Sequence, residues 1–141
     1  MEFKKIHLYG SDIEDYEVLS SLIQDAAIPT SEMKFDKVEK QFFLVCSRFS
    51  WESRLQNKGN KRIVSGICFD NVIEVKKKNF PSFNSENILN FLTLKKERGF
   101  IELIFSNNIL IKLVGNNISF RIDDLNKEWP TIFSPNHKKL D

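Results

Sequence analysis

Between Phe100 and Ile122 the chain reads as three apolar segments, Phe100 to Phe105, Ile109 to Val114 and Ile118 to Ile122, interrupted only by Ser106-Asn107-Asn108 and Gly115-Asn116-Asn117. Asn tolerates the left-handed backbone that tight hairpins require, so the interruptions are turns and the segments are antiparallel strands. In the last segment Ile118, Phe120 and Ile122 point one way and Ser119 and Arg121 the other, the alternation of a sheet with one wet face. Most of the 13 Phe lie in runs of this kind, which assigns them to a core and not to an exposed stacking surface.

The opposite end of the chain has a different period. Ile13, Tyr16, Leu19, Leu22, Ile23 and Ala26 recur at helical spacing, which predicts one amphipathic helix over Asp12 to Asp25. Ser11, with Glu14 three residues on, is the expected capping box, and Pro29 stops any continuation. Met33 to Phe35 and Gln41 to Phe49 then read as a hairpin around the charged turn Asp36 to Lys40. Phe42 to Cys46, apolar on both faces, has the pattern of a central strand. Ile63 to Val75 is a further extended segment, bent near Asp70-Asn71, and Lys76 to Glu86 reads as a loop before a strand at Ile88 to Leu94. Asp123-Asp124-Leu125 is placed to open a short helical turn before Pro130. The sum is an α+β fold, one N-terminal amphipathic helix packed on a mostly antiparallel sheet of about seven strands, in a single domain spanning residues 1–141.

Composition narrows function mainly by exclusion. The 21 basic and 19 acidic residues leave a net charge of +2 spread along the chain, too balanced for a dedicated nucleic-acid binder. No apolar run has the length of a signal peptide or a membrane span, so the expected location is the cytoplasm, with Cys46 and Cys68 as reduced, packed thiols. Phosphate-loop, nucleophile-elbow and zinc-protease signatures are absent, and His7 and His137 lie near opposite ends; no cofactor or metal is expected.

Three clusters carry functional residue types. Arg48-Phe49-Ser50-Trp51-Glu52 ends the central strand, with Gln24 and Asp25 at the helix end as expected neighbours. An Arg fork and a Trp plane can hold an anion or a flat ligand, but the favoured reading is structural, with Arg48 paired to Asp25 or Glu52 while Trp51 covers the core. Lys76, Lys77, Lys78 and Phe80, with Phe83 beyond, alternate cation and aromatic as single-strand nucleic-acid sites do, although a solvated loop explains them better. Asp123, Asp124 and Glu128 beside Trp129 offer oxygens without calcium-loop spacing.

Leu22-x-Gln24-Asp25-Ala26 and Arg48-Phe49-x-Trp51-Glu52, with Asp12-x-x-Asp15 before and Asp124-Leu125 after, resemble the pattern of a family of small alphaproteobacterial proteins of unknown function. The resemblance covers nearly the whole chain and implies a bacterial, cytoplasmic, one-domain protein, with no activity to carry over. The abundance of Lys, Asn and Ile departs from that pattern as an AT-rich genome would make it. The leading expectation is a non-catalytic binding or protein-interaction module taking a protein or small-molecule partner, with homo-oligomer formation open and no membrane role. A small enzyme built on Asp25, Arg48 and Glu52 is the alternative, followed by a weak single-stranded nucleic-acid binder.

Overall fold

A computed structural model describes residues 5–50, 62–81 and 87–125. Its elements are β1 (His7–Gly10), α1 (Ile13–Leu22), β2 (Ala27–Pro29), a one-turn 3₁₀ helix (Thr30–Glu32), β3 (Lys34–Asp36), β4 (Gln41–Phe49), β5 (Arg62–Asp70), β6 (Glu74–Lys78), β7 (Ile88–Glu97), β8 (Phe100–Phe105), β9 (Leu110–Val114) and β10 (Ser119–Asp124). The class is as expected, a mostly antiparallel sheet with one helix, but among the described residues the sheet has ten strands instead of about seven.

The extra strands come from two places. β2 has only three residues, too few to show a period, and it follows the helix directly. The expected single strand Ile63 to Val75 is two, because Asn71 adopts a left-handed backbone (φ 69°) and redirects the chain. Lys76 to Lys78 therefore belong to β6 and pair with β9, where a loop was expected. Asp123 and Asp124 likewise end strand β10 and do not start a helical turn.

The strand order is β1-β10-β5-β4-β2-β7-β8-β9-β6, with β3 beside β4, and every pairing is antiparallel. β2 is the hinge of this arrangement: Ala27 stands opposite both Ser47 of β4 and Asn90 of β7. Strands β1, β10, β5, β4 and β3 form one half, and β7, β8, β9 and β6 the other. Alternation puts Phe42, Leu44, Ile67, Phe69, Phe120 and Ile122 on the inner face of the first half. It puts Phe91, Ile101, Leu103, Phe105, Ile111 and Leu113 on that of the second, and both sets join one buried cluster. The corners where the chain passes between halves touch: a Cβ on Gly115 would lie 2.1 Å from the Asn71 carbonyl oxygen, so only glycine fits there. Asn71 also donates its side-chain amide to the Asn117 carbonyl at 2.9 Å. The Asn107-Asn108 hairpin is as expected, with both residues left-handed (φ 65° and 62°).

Helix α1 is shorter than its apolar spacing predicts. Its cap is Asp12, not Ser11: Asp12 Oδ1 accepts from the Asp15 amide at 2.9 Å, and Asp15 Oδ2 accepts from the amides of Ser11 and Asp12. Those two backbone donors hold the Asp15 carboxyl below its ordinary range. The helix ends at Leu22, and Asp25 turns left-handed (φ 65°) to donate its amide to the Phe91 carbonyl, which leads the chain into β2. Tyr16, Leu19 and Ile23 are buried as the stripe requires, whereas Leu22 is half-buried and Ile13 exposed. Tyr16 anchors the helix, its ring 4.9 Å from that of Phe120 and its hydroxyl donating to the Ile118 carbonyl at 2.8 Å.

Candidate functional site

The residues with the most chemistry in the sequence are already committed to one another. Arg48 shares the inner face of β4 with Phe42, Leu44 and Cys46, so its guanidinium enters the protein. Arg48 Nη2 donates to Asp124 Oδ2 at 2.8 Å and Nε to Asp124 Oδ1 at 3.1 Å, a forked contact with both side chains fully buried. Ser65 Oγ donates to Asp124 Oδ1 at 2.6 Å, and the Ile6 amide donates to Asp124 Oδ2 at 2.8 Å. The knot ties β4, β5, β10 and the start of β1. The carboxylate for Arg48 is thus Asp124, not Asp25, and Glu52 and Trp51 lie outside the described residues. Sequence distance hid the partner, since 76 residues separate the pair.

Gln24 and Asp25 are exposed, and the guanidinium that Asp25 acts on is that of Arg62. Arg62 donates to the Ser47 carbonyl at 2.8 Å and lies 4.2 Å over the Phe49 ring. Its partial burial, opposed by Asp25, draws its pKa below the ordinary Arg value. Asp25 and Arg48 are therefore served by different partners on the described structure. Cys46 is enclosed beside the knot, and burial pushes its thiol up to about 12.

The lysine run divides by register. Lys76 stands opposite Lys112 and Lys78 opposite Leu110 on the outer face, while Lys77, opposite buried Ile111, turns to the other face with its ammonium 4.6 Å over the Phe80 ring. Phe83 lies outside the described residues. Lys112, which the sequence reading did not single out, joins Lys76 on the outer face and sits 4.3 Å over the Phe100 ring. In the acidic cluster Asp124 is consumed by Arg48, Asp123 pairs with His7 at 2.6 Å on the surface, and Glu128, Trp129 and Pro130 lie outside the described residues. Among the described residues no group of three or more His, Cys, Asp and Glu is placed to hold a metal ion, and no helix is long and apolar enough to cross a membrane.

A further site was not legible in the sequence. Between α1 and the second half of β7 runs an open groove of about 470 Å³, lined on the helix side by Ile13, Tyr16, Glu17, Ser20 and Ser21 and on the strand side by residues 93–97. β2 covers β7 only from Ile88 to Asn90; beyond Phe91 a bulge shifts the register. The helix then stands beside the strand with few polar contacts, Ser20 Oγ 3.4 Å from Thr93 Oγ1 and the Lys96 ammonium 5.7 Å from the centre of the Tyr16 ring. The strand runs to Glu97, past the expected end at Leu94, but Lys95, Lys96 and Glu97 are all charged and show no alternation from which to read it.

Fold and surface together define an α+β protein in which an antiparallel sheet carries one helix alongside an incompletely covered strand. The chain belongs to the family described as "Protein of unknown function (DUF2948)", whose model matches residues 6–137. This agrees with the expected membership of a family without assigned function. No curated protein and no solved structure matches the chain.

Proposed function

We propose that the chain is a one-domain, non-catalytic protein-interaction module of the bacterial cytoplasm, and that the groove between α1 and β7 is its docking element. The observation that supports this reading is the contrast in availability. Arg48, Asp124, Ser65 and Cys46 are buried and engaged with one another or with apolar neighbours, whereas the groove presents exposed polar, charged and apolar groups side by side. Its volume falls within the range of roughly 300 to 1,000 Å³ that ligand clefts occupy. A mixed lining of this kind suits a peptide partner better than a small apolar ligand.

The test is a photo-crosslinking amino acid placed in the full chain at Ser21, in the groove, and at Val38, an exposed control in the β3–β4 turn. Discrete protein adducts should form from Ser21 and disappear when Ser20→Trp fills the groove. Equal adducts from Val38, or none from Ser21, sink the reading.

A further inference from the structure

Resting on that reading, we propose that the partner is an extended peptide that adds to β7 as an antiparallel strand, bonding to the main chain of Leu94 and Lys96.

The ladder itself identifies those groups. Ser106 donates its amide to the Asn90 carbonyl, so in β8 the even-numbered residues face β7. Ile104, Glu102 and Phe100 stand opposite Thr93, Lys95 and Glu97. Alternation then directs the amides and carbonyls of Leu94 and Lys96 away from β8, into the groove. On the same side, Phe91 is bonded by Ala26 and Asp25, where the chain crosses from helix to β2. Beyond it, no described strand pairs with this edge. Two donors and two acceptors, two residues apart, are the template for one added strand; the Leu94 carbonyl accepts a long contact from Thr93 Oγ1 at 3.5 Å and keeps its second lone pair for the partner.

The other described edges of the sheet are guarded in other ways: β1 is only four residues long, β3 only three, and β6 carries three consecutive lysines. The β7 edge has α1 alongside it, touching at Ser20 and Thr93, so that the open groove has one wall made of strand and one of helix.

Charge sets the register. Lys95 and Glu97 share the outer face of β7, and Leu94 is half-buried on the inner face beside the core. An antiparallel partner is matched when it carries Lys opposite Glu97, Glu opposite Lys95 and an apolar residue opposite Leu94. Between its Lys and its Glu it needs a small polar residue facing Lys96. Read from its N-terminus, the motif is Lys-Thr-Glu-Val.

The probe is a fluorescent, end-blocked peptide with Thr on either side of Lys-Thr-Glu-Val, titrated against the full chain by anisotropy, with ¹⁵N amide spectra in parallel. N-methylation of the Thr opposite Lys96 and the Val opposite Leu94 should weaken binding about tenfold or more, because it removes hydrogen bonds to β7. N-methylation of the intervening Lys and Glu should change it little, and exchanging Lys and Glu should weaken it. The Leu94 and Lys96 amides should be protected in the complex. Absence of binding up to millimolar peptide, equal affinity of both N-methyl series, or unprotected Leu94 and Lys96 amides overturns strand addition. So does selective perturbation of those amides by a single-stranded oligonucleotide and not by the peptide. Ser21 adducts with a silent N-methyl series would remove strand addition and leave the interaction module; failure of both would remove the module and the strand addition that rests on it.

Discussion

The two ends of β4 and β7 handle polar groups in opposite ways. Where β4 leaves the sheet, a cation, a carboxylate and a hydroxyl from three strands are sealed together with no access to water. Where β7 runs past β2, ordinary main-chain groups face an open groove. Arg, Asp and Ser are the residue types that draw attention in a sequence, yet here they satisfy one another. The recognition chemistry we propose lies instead in the peptide bonds of Leu94 and Lys96, which any sequence would carry.

The sharpest way to break this comparison is Arg48→Met. It strands the Asp124 carboxylate inside the protein, and loss of one member of a buried pair costs about 3 to 5 kcal/mol. Urea unfolding should show that loss, and Arg48→Met combined with Asp124→Leu should recover part of it. A parent-like midpoint for Arg48→Met alone would mean the knot is not structural.

Next in size is the helix that forms the far wall of the groove. Leu19 is fully buried and Leu22 only half-buried, so Leu19→Ala should cost about 2 to 5 kcal/mol and Leu22→Ala clearly less. Equal midpoints for the two variants would put the helix in a different rotation against the core.

A smaller effect concerns the helix cap. Asp12→Ala should cost on the order of 1 kcal/mol. Asp15 adds a pH signature. Its folded carboxyl lies below the ordinary value of 3.8, so its contribution is complete above that value and lost as pH falls through the lowered one. The stability difference between the parent and Asp15→Asn should be flat near neutral pH and shrink below about pH 4. A difference that grows on acidification would mean the carboxylate is not stabilised by the two amides.

The smallest effect belongs to the groove. Ser21→Asp and Lys95→Gln, both exposed, should change the unfolding free energy by no more than about 0.5 kcal/mol. Large destabilisation by either would make the groove wall part of the scaffold and remove the contrast with the knot. The same exposed-surface logic applies to Lys76, Lys77 and Lys78. Because the register turns Lys77 away from the other two, a shared nucleic-acid stripe is not assembled from all three, and changing them to Gln should have little effect on the weak, sequence-indifferent binding expected for single strands.

Local patterns determined much of this protein. The alternation from Phe100 to Ile122, the left-handed Asn107-Asn108 turn and the spacing of Tyr16, Leu19 and Ile23 act over a few residues, and the backbone follows them directly. Three-residue β2 has no period to read, and the crossing from β5 to β6 depends on Asn71 meeting Gly115 across the fold. The partner of Arg48 was fixed in the same way. Asp25 and Glu52 are nearer along the chain, but β4, β5 and β10 stack in register and set Asp124 beside Arg48 by way of Ser65. The edge at Leu94 and Lys96 is the extreme case: β2 is too short to pair with β7 past Asn90, and α1 meets that stretch through side chains such as Ser20 and Tyr16. Side-chain periodicity reports which face of a strand is buried; which edge is left open is decided only when all the strands have been placed.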